Sequence, residues 1–558
     1  MQPYRLKTTN FEGRYQYYML TLIIIFGVIL SIAFFKGMSL YGDDFEYVSF
    51  APSILIGTFS ENLNIFSIRL LVDYPIAAFI WLFGYTNLGA GAYDLICYAI
   101  TIPVVFLIGK RFHSIRAGLI SSFLFAIYPS SLKWDTTPSP MLPLVLLISL
   151  SVLFYIYARD RNSILFYSIS GFLGFAGTEA NPLAFLYIFM LSLYTIFDLL
   201  TRKKLRSNKK ILALYYFIGL LAGSTFFGSI NLILSHGSPY YNILFTNRYY
   251  SNAGGFDEIF YTNTNLYFYL NGYFPYNLNS ILINILTLNF GKALQNLYQL
   301  YNRIFVINKI IPNDVGLFPY FALIGGILLV YKRNKLAYPA IGWSVFIILY
   351  MEFGSMSITH YFPIYKLMRF AMIAEVPILI VLGIAISELS LYKKNKIALI
   401  SAILLIAILF ATSLPLDYYY YISNKNSMYY AIAASRIIAN VTTKSNVTLY
   451  APTLDTAYIA YYLHYNKRVT FVNYGSGKYG TVYLPNCNNI SNGSYVIIPS
   501  EEAIYYINSM NIWGINEQWA YDPSICGLRL YYNLYATGVN QNSSLVDLQD
   551  SGNLYYKP

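Results

Sequence analysis

The chain has 558 residues, of which 57% are hydrophobic and only 11% are charged, whereas ordinary soluble domains are about 45–50% apolar and about 25% charged. This composition excludes a soluble globule and intrinsic disorder, and three cysteines exclude a disulfide-rich scaffold. It indicates a protein that crosses a membrane several times. The net charge of +12 would suggest nucleic-acid binding only if the basic residues were placed for it.

Eleven apolar stretches are long enough, at about 20 residues, to be transmembrane helices. They cover residues 17–36, 90–109, 116–132, 140–158, 163–178, 182–200, 211–232, 315–331, 336–352, 370–389 and 397–414. The first is too long, and is followed by too many others, to be a cleaved signal peptide. A shorter apolar stretch at 74–84 is typical of a re-entrant or interfacial segment.

The basic residues predict the orientation of these helices. With a cytosolic N-terminus, twenty of the 37 Lys and Arg residues and only four acids fall on the inner side. Cytosolic loops characteristically carry such an excess. The positive charge therefore indicates membrane topology, not nucleic-acid binding, and it puts the region after the last span outside the cytoplasm.

Residues 415–558 are predicted to form that extracytoplasmic domain, after a membrane domain at 1–414. Its alternating pattern predicts a small α/β fold, with helices at 428–438, 454–465 and 501–510 and strands at 447–451, 468–473, 495–499 and 528–534. All N-glycosylation sequons of the chain fall here, at Asn440, Asn446, Asn489, Asn492 and Asn542, and such sequons are modified only on the outer face. Cys487 and Cys526 lie in the same domain, where a disulfide and two free thiols are both open alternatives.

Paired acids follow the first span directly, in the sequence Gly42-Asp43-Asp44. Carboxylates at a membrane boundary can line a cavity, where one accepts a proton as a general base and the other orients it or binds a cation. The alternative is a solvated loop start.

Single acids stand at the other outer boundaries. Asp135 and Glu179 begin outer loops. Capping of the next helix is the alternative role for Asp135 and the expected role for Glu179. Asp94 and Glu375 fall inside predicted spans, where a structural pairing, such as Glu375 with the neighbouring Arg369, would account for them.

Six cations on the outer side break the positive-inside pattern, and a lipid-borne phosphate would need such partners. They are Arg69, Lys133, Arg248, His360, Lys366 and Arg369. Residues 360–369 place three of them among aromatic side chains just before a span, which makes this stretch the first choice. Solvated loop charges are the alternative.

The order of motifs in the first third resembles the GT-C membrane glycosyltransferases. The resemblance rests on Gly42-Asp43-Asp44, on RLLVDYPI at 69–76 followed by FIWLFG at 79–84, and on LIGKRF at 107–112 with AIYP at 126–129. It is strongest to the dolichyl-phosphate-mannose protein mannosyltransferases and the aminoarabinose transferases of lipid A. It covers residues 18–160, and residues 415–558 in architecture only.

Carried over by position, the resemblance makes Asp43 the catalytic acid, Asp44 its acidic neighbour and Asp135 the acid of the second outer loop. Two departures matter. Asp73 stands where the lipid A enzymes have a lysine, and the Trp-Trp-Asp motif of oligosaccharyltransferases is not reproduced by the tryptophans at 513 and 519. A single-sugar transferase is therefore the better match.

The expected activity is inverting transfer of one sugar from a polyprenyl (dolichyl-type) phosphate to an acceptor hydroxyl of a protein, lipid or glycan on the outer face. Asp43 is the expected base, oriented by Asp44 and Asp135. Arg69, Arg248, His360, Lys366 and Arg369 are the expected phosphate ligands. A divalent cation, Mg²⁺ or Mn²⁺, is left open because a monophosphate donor does not require one.

Two other classes compete with this hypothesis. A transporter or lipid flippase would typically show internal repeats and charged residues at mid-membrane, which the sequence lacks. A non-catalytic assembly or anchoring protein of the cell envelope would tolerate substitution of Asp43.

Overall fold

The computed structural model describes most of the predicted membrane region and part of the C-terminal region. The described residues are 10–38, 43–59, 67–201, 212–234, 238–252, 318–353, 372–390, 396–443, 445–452, 459–474, 490–499, 529–533 and 552–556. The predicted helix at 501–510 and both Cys487 and Cys526 lie outside them.

The described part of the membrane region is helical throughout. Its helices are α1 (Asn10–Ala33), α2 (Asp43–Ser49), α3 (Ala51–Leu55), α4 (Leu70–Phe83), α5 (Asn87–Phe112), α6 (Ile115–Ala126), α7 (Pro129–Trp134), α8 (Met141–Arg161), α9 (Ile164–Ala180), α10 (Ala184–Thr201), α11 (Tyr215–Leu234), α12 (Tyr241–Asn252), α13 (Phe318–Tyr331), α14 (Tyr338–Phe353), α15 (Glu375–Ser390) and α16 (Lys396–Thr442). The polytopic helical fold class is thereby confirmed.

Six helical segments of the described residues are long and apolar enough to cross a membrane. They are Tyr15–Ala33, Asn87–Phe112, Met141–Arg161, Leu212–Leu234, Met372–Leu389 and Lys396–Leu414. The other predicted spans fall on shorter helices, and the segment predicted at 116–132 breaks after α6 into the separate short helix α7. The number of crossings therefore stays a prediction.

The chain forms two compact units. The first comprises Met1–Phe34, Thr58–Pro75 and Tyr93–Asp417, and the second comprises Phe35–Gly57, Ile76–Ala92 and Tyr418–Pro558. The division into domains at residue 415 stays a prediction, since α16 continues through Pro415 without a break.

Small residues bring the helices of the first unit into close contact. A Cβ atom on Gly171 of α9 would overlap the Tyr216 carbonyl of α11, and one on Gly219 of α11 would overlap the Ser168 carbonyl. On the other side of α9, the hydroxyls of Ser151 and Ser170 each donate to the other residue's carbonyl, both at 2.7 Å. Membrane helices pack through such small residues because lipid provides no hydrophobic drive for association.

Ion pairs join several helices at one end of the first unit. Arg111 at the end of α5 pairs with Asp160 near the end of α8. Arg159 lies 3.6 Å from Asp198 of α10, and His113 Nε2 lies 2.6 Å from Glu388 near the end of α15. This is the end that the charge distribution assigns to the cytosol.

The second unit contains a five-stranded mixed sheet. Its strands are β1 (Val447–Pro452), β2 (Val469–Tyr474), β3 (Tyr495–Pro499), β4 (Arg529–Asn533) and β5 (Gly552–Tyr556), in the order β2-β1-β3-β5-β4. Strands β1, β2 and β3 are parallel, and β5 runs antiparallel to both β3 and β4. Together with the helices of this unit, the sheet gives the predicted small α/β architecture.

Candidate active site

The acid pair after the first span lies in the second unit, at the start of α2. Asp43 is the first residue of this helix, and its side chain lies outside the described residues. The next carboxylate, that of Asp44, is buried, with 3% of the residue exposed. A solvated loop start, the alternative role, would leave Asp44 in water, so the alternative fails for this residue.

Asp44 has an electrostatic neighbour from the C-terminal region. Burial raises the pKa of Tyr462 above its ordinary value, and the nearby Asp44 carboxylate raises it further. Tyr462 therefore keeps its proton at neutral pH, and Asp44 faces a neutral hydroxyl group.

Asp135 lies in the first unit, immediately after the short helix α7. Pro129 opens α7, where a proline costs no hydrogen bond because the first helical N–H groups have no partner inside the helix. Asp135 is fully buried, and its Oδ1 accepts a hydrogen bond from the Thr136 hydroxyl at 3.2 Å.

Capping of α8 by Asp135, the alternative role, is wrong. The hydroxyl of Ser139 accepts the backbone N–H of Met141 at 3.1 Å instead. Asp135 stands five residues before α8 begins at Met141 and follows the end of α7.

Asp94 of α5 approaches the same loop. It is fully buried, and its carboxylate interacts electrostatically with that of Asp135. The local sequence favours a structural role for Asp94, because it does not show that residues 94 and 135 lie close together in the fold.

The prediction that Glu179 caps the next helix is also wrong. It lies in the last turn of α9, is fully buried, and accepts a hydrogen bond from Asn242 Nδ2 at 2.9 Å and another from Asn231 Nδ2 at 3.3 Å. Asn181, two residues later, provides the local backbone contact by accepting the N–H of Leu183 at 3.0 Å.

Glu375 begins α15. It lies in the segment Met372–Leu389, which is 83% buried and the most buried of the six long apolar segments. One of its carboxylate oxygens accepts a hydrogen bond from the Ser131 hydroxyl of α7 at 2.6 Å. The expected partner Arg369 lies outside the described residues. Glu375 thus links α15 to α7, the short helix that precedes Asp135.

Removing the Ser131 hydroxyl should destabilise the first unit. Ser131→Ala removes the 2.6 Å hydrogen bond to the buried Glu375 carboxylate, and loss of such a buried bond typically costs about 1–3 kcal/mol. Thermal unfolding in detergent should show a lower transition temperature than for Ser229→Ala, where an exposed hydroxyl bonds only to its own helix. Equal transition temperatures for the two variants would contradict the structural role of this contact.

The predicted phosphate ligands are only partly described. Arg69 precedes α4 and is buried, with 8% exposed. Arg248 belongs to α12, but its side chain lies outside the described residues, as do His360, Lys366 and Arg369. Their role in binding phosphate stays a prediction.

Two further predictions are covered in part. Within the described ranges, no group of three or more His, Cys, Asp or Glu side chains could hold a metal ion. Of the five sequons, Asn440, Asn446 and Asn492 are exposed, while Asn489 and Asn542 lie outside the described residues. Glycosylation stays a prediction.

Comparison with known proteins now adds to this geometry. The family model of the dolichyl-phosphate-mannose-protein mannosyltransferases matches residues 70–226. The matched stretch contains the buried acids Asp94, Asp135 and Glu179 of the candidate site. A comparison of the sequence with curated proteins finds no match.

Solved structures match over almost the whole chain. The apo oligosaccharyltransferase of Archaeoglobus fulgidus is 13% identical with a TM-score of 0.54, and the match covers 96% of this chain and 76% of that one. ArnT from Cupriavidus metallidurans bound to undecaprenyl phosphate is 11% identical with a TM-score of 0.53, covering 96% and 97%. The chain has the fold of these membrane glycosyltransferases. At these identities the structures establish the fold, and the family match over residues 70–226 adds the class of enzyme.

The candidate acids of the described residues fall in both units. The second unit holds the acid pair on α2, with Asp44 buried. The first unit holds Asp94, Asp135, Glu179 and Glu375, all buried, at the ends of helices opposite to the ion pairs described above. Buried acids are costly unless they are paired or used, and so this end of the first unit is the candidate for chemistry.

Proposed function

We propose that the enzyme transfers a single sugar from a polyprenyl-phosphate donor to an acceptor hydroxyl on the outer face of the membrane. The observation that carries this proposal is the match to ArnT, a structure holding undecaprenyl phosphate, of which the chain covers 97%. The archaeal oligosaccharyltransferase, solved with dolichol-phosphate and an inhibitory peptide, is covered to 64%. The chain also lacks the Trp-Trp-Asp motif expected for transfer of a whole oligosaccharide.

The reaction needs a base for the acceptor and a stabilised leaving group. In the proposed step the acceptor oxygen attacks the anomeric carbon, its proton passes to the Asp43 carboxylate, and the bond from that carbon to the phosphate oxygen breaks. The electron pair of that bond leaves with the polyprenyl phosphate. Direct displacement of this kind inverts the anomeric centre.

The remaining residues have supporting roles in this proposal. Asp44 and Asp135 orient the base or the acceptor. Cationic side chains neutralise the departing phosphate, where a forked guanidinium is the best donor set. The candidates are Arg69, Arg248, His360, Lys366 and Arg369.

The charge distribution supports placement of the site on the outer face. The helix ends with the ion pairs carry the Lys and Arg excess typical of the cytosolic side. Asp94, Asp135, Glu179 and Glu375 lie at the other ends of the helices. An external site is where a lipid-linked donor and envelope acceptors would meet.

The test is release of polyprenyl phosphate by the purified protein in detergent. The donors are a panel of polyprenyl-phosphate monosaccharides and, for comparison, polyprenyl-diphosphate oligosaccharides, with cell-envelope extract as the acceptor. We expect turnover of at least one monophosphate donor and none of the diphosphates. Turnover of a diphosphate oligosaccharide alone would overturn single-sugar transfer, and failure to bind any donor would favour the transport or anchoring alternatives.

A chelator tests whether turnover requires a divalent cation. A similar structure, that of an oligosaccharyltransferase, was solved with Zn and sulfate. This is the reason for testing whether the present enzyme depends on a metal ion. With a monophosphate donor, the proposal expects EDTA to leave turnover unchanged. Loss of turnover that Mg²⁺ or Mn²⁺ restores would show instead that the acids hold a cation.

A further inference from the structure

A short turn of the C-terminal region, residues 459–465, lies against the first outer segment within the second unit. We call it the Tyr461 turn. Leu463 N–H donates to the Ile459 carbonyl at 2.9 Å and Tyr465 N–H to the Ala460 carbonyl at 2.8 Å. His464 and Tyr465 adopt left-handed backbone conformations, with φ of 53° and 50°. These bonds fix the direction in which its tyrosines point.

Two hydroxyls of the Tyr461 turn bond to the segment at the start of α5. Tyr461 donates to the Thr86 carbonyl at 2.9 Å, and Tyr462 donates to Asn87 Oδ1 at 2.6 Å. The ring of Tyr85 packs edge-on against the ring of Tyr461, with their centroids 5.3 Å apart. Hydrogen bonds combined with ring packing make this a specific contact and not a loose apolar one.

The same two tyrosines also contact α2. The ring of Phe45 meets the ring of Tyr461 edge-on at 6.5 Å. The Asp44 carboxylate is an electrostatic neighbour of Tyr462. The Tyr461 turn thus contacts Phe45 and lies near Asp44, the two residues that follow Asp43.

Asn87 extends this contact to the segment that leads from α1 to α2. Gly37 adopts a left-handed conformation with φ of +66°, and a Cβ atom there would overlap the Asn87 side chain. Asn87 therefore packs against the backbone before α2 while it accepts the Tyr462 hydrogen bond. The approach to α2 and its first turn are both held by the same small group of residues.

We propose that the Tyr461 turn sets the position of the Asp43–Asp44 pair, with Tyr462 as a positioning residue for the transfer reaction. The C-terminal region then contributes to turnover through α2, a role that rests on the proposed function. Tyr462 does not need to touch the substrate. Its hydroxyl holds Asn87 and lies within electrostatic range of Asp44.

Two matched tyrosine variants test the proposal. Tyr462→Phe removes the hydroxyl bonded to Asn87 and keeps the ring. Tyr465→Phe makes the same change in the same turn, where the described residues show ring packing on Tyr85 and no hydrogen bond to the hydroxyl. We expect Tyr462→Phe to lower kcat about tenfold with the donor KM within about twofold, as for a slightly misplaced reacting group, and Tyr465→Phe to resemble the wild type.

Hydrogen exchange of the full-length protein gives a readout that needs no substrate. Amides of residues 44–49 should exchange faster in Tyr462→Phe than in the wild type or Tyr465→Phe. Asn87→Ala, which removes the acceptor, should reproduce this effect and provides a second variant if Tyr462→Phe does not fold. Unchanged exchange at 44–49 in both variants, or an unchanged kcat, overturns the proposal.

The two measurements also separate this proposal from the function on which it depends. A wild-type protein without turnover of any donor would contradict single-sugar transfer, whatever the exchange result. Faster exchange at 44–49 in that case would still establish that the Tyr461 turn holds α2, and unchanged exchange would remove that claim as well.

Discussion

Replacing Asp43 with asparagine should reduce turnover of the polyprenyl-phosphate donor by between about a hundredfold and ten thousandfold. This is the usual contribution of a positioned general base. Asparagine keeps the size of the side chain but cannot accept the acceptor's proton, so donor binding should persist. The measurement is the initial rate of polyprenyl phosphate release, with donor affinity determined separately.

The matched control is Asp160→Asn. Asp160 pairs with Arg111 at the helix ends that carry the ion pairs of the first unit, and both side chains are partly exposed. Its replacement should therefore change the free energy of unfolding little. It should leave turnover at the wild-type rate. Equal activity of Asp43→Asn and Asp160→Asn would exclude Asp43 as the base and make Asp135→Asn the next variant.

Replacing Gly219 with alanine should destabilise the first unit by about 3 kcal/mol, at the upper end for overpacked cores. The added methyl group would overlap backbone atoms of Ser168. Backbone cannot rotate away as a side chain can, so α9 and α11 would have to separate. The thermal transition in detergent should fall by several degrees.

Gly342→Ala is the control for this change. Gly342 also lies inside a helix, α14, but a Cβ atom there has nothing within 4 Å. Alanine favours helix by about 1 kcal/mol over glycine, so this variant should match or exceed the wild-type stability. A Gly219→Ala protein as stable as Gly342→Ala would show that α9 and α11 do not need their close contact.

Much of the sheet could be predicted from the sequence. The predicted strands at 447–451, 468–473, 495–499 and 528–534 each lie within one or two residues of β1 to β4, because β-branched and aromatic residues alternate there. Strand β5 was missed because its sequence, GNLYY, contains glycine and asparagine, which are depleted in strands. Pairing with two neighbours on the sheet outweighs this weak local preference.

The end of the membrane region was harder to predict. Pro415 and the polar residues after it favour a break, yet α16 continues to Thr442 and includes the helix predicted at 428–438. Proline usually kinks or ends a helix, but here the helix continues past Pro415 to the alanine-rich stretch at 431–435.

The candidate site was predictable in its residues but not in its contacts. Boundary position identified Asp44 and Asp135 as candidates. The partners Asp94, Ser131 and Tyr462 come from sequence positions between 41 and 418 residues away from Asp135, Glu375 and Asp44, the acids they approach, and only the tertiary fold brings them there. The local sequence shows which chemical group a residue carries, whereas its burial and its partners in the fold determine the role of that group.

The position of β5 has a consequence for how the C-terminal sheet forms. β5 lies between β3 and β4 and hydrogen-bonds to both, and in the described strands β4 pairs with β5 alone. Strand β4 is synthesised before β5, so its backbone groups have no strand to pair with until residues 552–556 have been synthesised. The parallel strands β1, β2 and β3 can assemble earlier, but completion of the sheet must wait for β5. During that interval β3 and β4 are open edges, the kind of surface that chaperones and proteases recognise.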